Sequence, residues 1–329
     1  MNFISRQLTK DEFPAWDRFV DEHPEGTIFQ KTTWLALINP EIEIYVVYEE
    51  NDIIAGVALI KTKKNSINGY HIPPYTQYFS PLYGKRDPNK NSLTEEHVCI
   101  KAILEKIKDA GHIDFRLSKG HQSILPYHWK GFESSVGITH ILSGTLAGYL
   151  SALNKNKVRE LKKLQQQVTS GEITIDENIS EPELIQLLQQ TVERKGFDAK
   201  SAIAVSLVMN SGESFAKKFV IRSREHGLVA FGFFPYDNKA VYNLINASVR
   251  VTDPVLKTVN LLLLYQAIEF ALNSNRSFDF EGSMLPGVET FCRLMGGRQM
   301  PVYRVQKSSS LRYSLIRAAY QVKNDRKKT

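Results

Sequence analysis

Residues 102–118 align without gaps on residues 267–283, at a constant offset of 165. Five of the seventeen positions are identical, among them Asp114-Phe115 and Asp279-Phe280, and Ile107 and Ile113 fall on Leu272 and Phe278. An internal repeat constrains the fold more than any single motif. It calls for two copies of one module, each of which must find its own way to bury an apolar face.

The surroundings repeat as well. Each half opens on a capping box, Thr9…Glu12 before Phe13, Trp16, Phe19 and Val20, and Ser180…Glu183 before Leu184, Leu187 and Leu188. A second short helix is expected near 32–38 in the first half and near 211–224 in the second. Two apolar strands around a polar turn follow: 42–48 and 53–60 about Asn51-Asp52, and 228–234 and 240–246 about Asp237-Asn238. A long helix and a last strand close each half, 93–110 with 113–117 and 255–273 with 278–281. A strand–helix–strand crossover implies a parallel pairing, and a hairpin supplies antiparallel neighbours. The expected fold class is α/β with a mixed sheet, in tandem domains over 1–145 and 146–306, followed by a basic segment over 307–329.

The chain has 329 residues, 42% of them hydrophobic and 23% charged, which excludes disorder and leaves length for two cores. Cys99 and Cys292 cannot staple so long a chain, the eight histidines show no metal-binding spacing, and no metal is expected. The opening residues lack the apolar core of a signal peptide, and the most apolar stretch, 259–272, is too short to span a bilayer; the expected location is the cytoplasm. The net charge of +7 is concentrated at the end, with +6 over 307–329. The body is nearly neutral, which does not support a long polyanion such as tRNA as a partner. A local exception is the cluster Lys155, Lys157, Arg159, Lys162 and Lys163, which is either a solvated helix face or an anion-binding one.

The halves differ in one place. From the hairpin turn to the Asp-Phe pair takes 62 residues in the first half and 42 in the second. The extra length holds Tyr70–Gly84, with four tyrosines and three prolines. Such a segment suits a pocket wall, and it equally suits a loop that glues the two domains.

Three stretches carry a resemblance: Gly26-Thr27-Ile28-Phe29-Gln30-Lys31-Thr32-Thr33-Trp34, then Ile72-Pro73-Pro74…Thr76-Gln77-Tyr78, then Phe278-Asp279-Phe280-Glu281-Gly282-Ser283…Gly287…Phe291…Gly296-Gly297. In this order they resemble the FemABX-like branch of the GNAT acyltransferase superfamily, over about residues 10–306. The resemblance implies tandem GNAT domains and transfer of an acyl or aminoacyl group to an amine of a sugar or cell-envelope precursor. The donor it implies is acyl-CoA or aminoacyl-tRNA. It also implies that Lys31 holds an anionic part and that Tyr75, Gln77 and Tyr78 line the acceptor side; Arg293 is a further candidate for holding an anion, from its charge alone. Two departures stand out. The family's Phe-Lys before its final glycine reads Phe291-Cys292-Arg293 here, and there is no room for a long helical-hairpin arm in the second half.

The residues themselves permit such chemistry without a nucleophilic side chain. Acyl transfer to an amine needs a proton acceptor, a grip on the donor's anionic handle, and donors for the carbonyl oxygen as it gains charge. In Phe278–Glu281 a strict alternation points both phenylalanines one way and both carboxylates the other. Asp279 or Glu281 then accepts the amine proton or orients the acceptor; the alternative is a structural bond to Arg250 or Arg293. Because Asp114 repeats Asp279 whereas Arg116 stands opposite Glu281, Glu281 is the better catalytic candidate. Arg159 is a candidate for holding an anion, and Arg250 and Lys257 flank the turn before the last long helix, where a CoA pyrophosphate is held in acetyl-CoA GNATs. That turn has no glycine, contains Pro254, and carries Asp253, which repels phosphate. Cys292 lacks any signature of a nucleophile. The basic end segment has an amphipathic helical spacing that either docks on the body or contacts a membrane peripherally. A catalytically silent binding or scaffold protein on the same double fold is the alternative function.

Overall fold

The computed structural model describes residues 3–64, 67–84, 93–119, 121, 123–195, 201–249, 253–282 and 284–309. The basic end segment from 310 onward and Arg250 lie outside them. The chain divides into two compact units, Met1–Val136 with Val302–Thr329, and Gly137–Pro301.

The first part of the chain forms β1 (Phe3–Gln7), α1 (Phe13–Glu22), α2 (Thr32–Ala36), β2 (Ile42–Glu49), β3 (Asp52–Ile60), β4 (Thr62–Lys64), β5 (Ile67–Gly69), β6 (Leu82–Tyr83), α3 (Leu93–Lys106), β7 (His112–Arg116) and α4 (Leu125–Trp129). β8 (Glu133–Leu142), α5 (Leu146–Ala152), α6 (Lys155–Thr169), β9 (Ile173–Asp176), α7 (Glu181–Lys195) and α8 (Ser201–Asn210) follow. The rest is β10 (Ala216–Ser223), β11 (Gly227–Pro235), β12 (Ala240–Tyr242), β13 (Ile245–Ser248), α9 (Val259–Asn273), β14 (Ser277–Asp279), α10 (Pro286–Leu294) and β15 (Arg298–Ser308).

The duplicated plan is visible in the pairing. In the first unit β1, β2, β3 and β6 form an antiparallel sheet; in the second, β9, β10, β11 and β13 do the same. The hairpins β2/β3 and β10/β11 correspond, and each shifts register at an equivalent place, between Val47 and Tyr48 and between Ile221 and Arg222. The closing strand of each copy lies parallel to a segment before the crossover helix: Ile113 pairs with Tyr70, and Phe278 with Val241. Its other side is antiparallel, β7 with the end of β15 and β14 with the end of β8. Lys307 and Ser308 are therefore strand residues, opposite Ile113 and His112.

Two sequence expectations need correction. The second hairpin is 216–223 with 227–235, not 228–234 with 240–246, and the second helix of that half is α8 at 201–210 rather than 211–224. Phe219-Val220-Ile221 sits in a β-branched and aromatic run, so this segment fills a strand and not a helix. β1, β8, β9 and β15 lack a strong apolar alternation, and the sequence alone does not mark them as strands.

α9 buries ten of its fifteen residues and is the central core helix of the second unit, packed with Phe278, Phe280 and Ile221. It ends where Asn275 turns left-handed (φ +56) and the Arg276 N–H donates to the Ala271 carbonyl at 2.8 Å. No helix among the described residues is long and apolar enough to cross a membrane.

Both expected capping boxes form, and in each an arginine from a strand clamps the glutamate. Thr9 N–H and hydroxyl donate to Glu12, which accepts Arg6 at 2.6 Å; Ser180 N–H and hydroxyl donate to Glu183, which accepts Arg222 at 2.6 Å. The arginine bonds, then the cap donors, hold both carboxyls down to about 2, from an ordinary 4.5. A depressed folded-state value means stabilisation that is complete above the unfolded value and is lost as protons bind. Stability should therefore be flat from neutral pH to about 4.5 and fall between there and about 2. Urea midpoints across that range check this, and Glu12→Gln with Glu183→Gln should flatten part of the fall.

Candidate functional site

In the second unit the sheet splits. The stretch 240–248 starts as β12, parallel to β14, with Val241 opposite Phe278 and Tyr242 opposite Asp279. The Asn243 N–H donates to the Asp279 carbonyl at 2.9 Å, the last backbone bond between them. Two residues later the same stretch is β13 and pairs with β11, Ile245 opposite Phe233 through Ser248 opposite Ala230. β13 ends its sheet, so no described strand pairs with its second edge. A strand edge not taken up by a neighbouring strand presents a row of backbone N–H and C=O groups, and β13 parts from β14 where that edge begins.

The chain beyond β14 is sharply bent. Phe278 and Phe280 stack edge to face at 4.9 Å in the core, as alternation requires. The alternation then breaks, because the strand stops at Asp279 and Glu281 and Gly282 are both left-handed, at φ +59 and +57. The two carboxylates are therefore not neighbours along one pleat, contrary to the sequence expectation. Asp279 has no exposed surface; its Oδ1 accepts the Thr139 hydroxyl at 2.6 Å and the Glu281 N–H at 2.9 Å. Glu281 is half-buried. Its repeat partner region behaves differently: Asp114 is buried under a two-pronged bond from Arg304, at 2.7 and 2.5 Å, and the strand runs on through Arg116.

The first unit closes the corresponding wedge with its own chain. Tyr70 pairs with Ile113 and Leu82–Tyr83 with β3, but residues 71–81 fill the space between. Phe79 exchanges two backbone bonds with Arg116, at 2.9 and 3.1 Å, where the sheet would otherwise open. Gln77 is buried and accepts from Arg116 at 2.8 Å, and Tyr78 has no exposed surface and packs 6.3 Å from Phe29. Two of the three signature stretches thus meet: Trp34 donates to the Thr76 hydroxyl at 3.2 Å and Gln30 to the Ser80 carbonyl at 3.1 Å. Tyr75 is half-buried and left-handed (φ +55), which is uncommon for a bulky residue. Lys31 is engaged by Asp21 at 2.7 Å.

Solved structures share this architecture over nearly the whole chain. FemX matches with a TM-score of 0.67 at 14% identity, over 91% of this chain and 96% of its own. L-PGS from Bacillus licheniformis matches at 0.53 and 14%, over 95% and 96%. A tandem GNAT protein from the clavulanic acid biosynthesis pathway matches at 0.54 and 9%, over 94% and 99%. No protein-family model and no curated protein sequence matches the chain. The fold is that of the FemABX-like GNAT branch.

The turn before α9 is held from within. Asp253 Oδ1 accepts the N–H groups of Val255 at 2.7 Å and Leu256 at 2.9 Å. These amides lie in the turn that leads into α9, and an internal carboxylate already holds them. The residues do not fit a CoA pyrophosphate there, since Lys257 is exposed and Asp253 would oppose the charge. Arg159, on α6, is exposed, and Arg293, 57% exposed at its side chain, bonds Glu289 at 3.1 Å one turn earlier on α10.

Residues the sequence reading passed over lie around the strand end. Thr139 and His140 sit on β8, with the His140 carbonyl accepting the Phe280 N–H at 2.9 Å and its Nε2 3.8 Å from Glu289. Because β8 was not recognised, neither could be placed beside Asp279. Cys292 is 3% exposed; burial first, then Glu289, pushes its thiol up to about 11, so it stays protonated and is no nucleophile at neutral pH.

Proposed function

We propose that the chain is an acyltransferase that moves an acyl or aminoacyl group onto an amine of a sugar or cell-envelope precursor, with the reaction at the split sheet of the second unit. The observation that carries this reading is the divergence of β13 from β14 after Asn243, with no described strand on the second side of β13 and the chain past β14 turning left-handed at Glu281. Glu281 takes the proton of the attacking ammonium, a role suited to a half-buried carboxylate. The free amine attacks the donor's carbonyl carbon, the new C–N bond forms, and edge amides of β13 meet the oxygen as it gains charge. The C–O or C–S bond to the donor's carrier breaks, and the leaving oxygen or sulfur takes up the proton that the new amide nitrogen sheds.

The self-capped Asp253 turn favours a donor that is not gripped there by a pyrophosphate, which points to an aminoacyl ester, held at its aminoacyl end rather than along a polyanionic carrier, over an acyl-CoA. The exposed cations Arg159 and Lys163, four residues apart on α6, are proposed to meet anionic parts of a substrate, with Arg293 in the same role on α10. Tyr75 is proposed to contact the acceptor. The expected location is the cytoplasm, where such donors are made. The test is where a non-hydrolysable donor analogue binds: it should perturb the backbone amides of 243–248 and 280–282.

A further inference from the structure

We propose that Thr139 and Asp279 form a clamp that holds Glu281 in its left-handed backbone conformation, so that both are positioning residues and neither is the base. The proposal rests on the reading of Glu281 as the proton acceptor. A left-handed glutamate is disfavoured by its own Cβ, so something must hold it. Asp279 does so as an Asx turn: its Oδ1 accepts the N–H of the residue two positions on, at 2.9 Å, which bends the backbone out of the strand. The same oxygen accepts the Thr139 hydroxyl at 2.6 Å, which fixes the rotamer of the carboxylate. Thr139 is 1% exposed and Asp279 fully buried, so neither swings out to be replaced by water.

β8 secures each residue of the bend in turn. The His140 carbonyl takes the Phe280 N–H at 2.9 Å, Thr139 acts through Asp279, and the Ile138 carbonyl lies against the α-carbon of Gly282, where any Cβ would strike it. The duplication supplies a control within the molecule. The repeat partner Asp114 bonds to Arg304 instead, and there the chain two residues on, at Arg116, stays in the strand. The same aspartate at the same place in the module bends the backbone only where a hydroxyl from the neighbouring strand turns its carboxylate onto the chain.

The test uses Thr139→Val, which removes the hydroxyl at constant shape, and Thr139→Ser, which restores it. Two quantities are read: hydrogen exchange at the Glu281 amide, and kcat and KM for the donor–acceptor pair found by a mass-resolved screen. In Thr139→Val the Glu281 amide should exchange about tenfold faster, and kcat should fall about tenfold with KM unchanged. Thr139→Ser should recover both. The clamp is overturned if Thr139→Val leaves exchange and kcat as in the parent, or if exchange accelerates equally throughout β14 and α9, which marks general destabilisation. Glu281→Gln separates the two levels: unchanged turnover there ends the base reading, and the exchange result alone then decides the clamp.

Discussion

Glu281→Gly should lose transfer without losing stability. A positioned general base contributes roughly 10²- to 10⁴-fold, so kcat should fall by about that factor. Stability moves the other way from most substitutions. A non-glycine residue in the left-handed region costs about 1–2 kcal/mol, which glycine removes. The greater freedom of glycine in the unfolded chain takes back about 0.5–1 kcal/mol. The net expectation is a protein at least as stable as the parent, by up to about 1.5 kcal/mol. Glu281→Ala is the informative contrast, since it loses the carboxylate but keeps the strained φ of +59. Turnover and urea midpoints on the three proteins read this directly. A glycine variant clearly less stable than the alanine variant would show that the backbone at 281 is not strained. Strain kept at one polar residue beside an open strand edge is the pattern expected where function opposes stability.

Gly282→Ala should be among the most damaging single-methyl changes in the chain. Its φ of +57 already disfavours a side chain, and a Cβ there would lie 2.8 Å from the Ile138 carbonyl carbon and closer still to the oxygen. Those atoms are backbone in a paired strand and cannot step aside as a flexible side chain would. The conformational penalty of about 1–2 kcal/mol and an overpacking cost of about 1–3 kcal/mol together predict a loss of about 2–5 kcal/mol. Gly287→Ala serves as its control, because nothing lies within 4 Å of a Cβ at that helical position. There the change should stabilise α10 by about 0.5–1 kcal/mol. Equal urea midpoints for the two variants would contradict the packing described at the bend.

Much of the fold can be read from the chain because it is written twice. The capping boxes at Thr9 and Ser180 mark helix starts through short-range chemistry that tertiary context does not override. The pair α9 and β14 is legible because a run such as Leu261–Leu264 admits only burial. The second hairpin was misplaced because residues 216–223 mix Lys217, Lys218 and Arg222 with apolar residues, which blurs a period of two. On this inner strand two of the cations are paired: Lys217 reaches Glu177 and Arg222 reaches Glu183.

The site was half legible. That Glu281 differs from its repeat partner while Asp279 does not was visible from Arg116 and Asp114 alone, and the buried, doubly bonded Asp279 accords with an architectural role. What alternation could not reveal is the bend. It arises from a long-range contact, Thr139 with Asp279, 140 residues apart in sequence. The role of the tyrosine-rich loop was equally out of reach. Its length difference between the halves was plain, but only the pairing of Phe79 with Arg116 places it as the filler of the first unit's wedge.

One measurement bears most directly on the claim that the second unit's open wedge, and not the filled one of the first unit, receives the donor. Backbone amide shifts should be mapped by NMR while a non-hydrolysable 3′-aminoacylamino-adenosine is titrated in. The account predicts saturable perturbations at 243–248 and 280–282, with residues 71–83 unmoved. Perturbations centred on 71–83, with the edge of β13 and Glu281 silent, would contradict it.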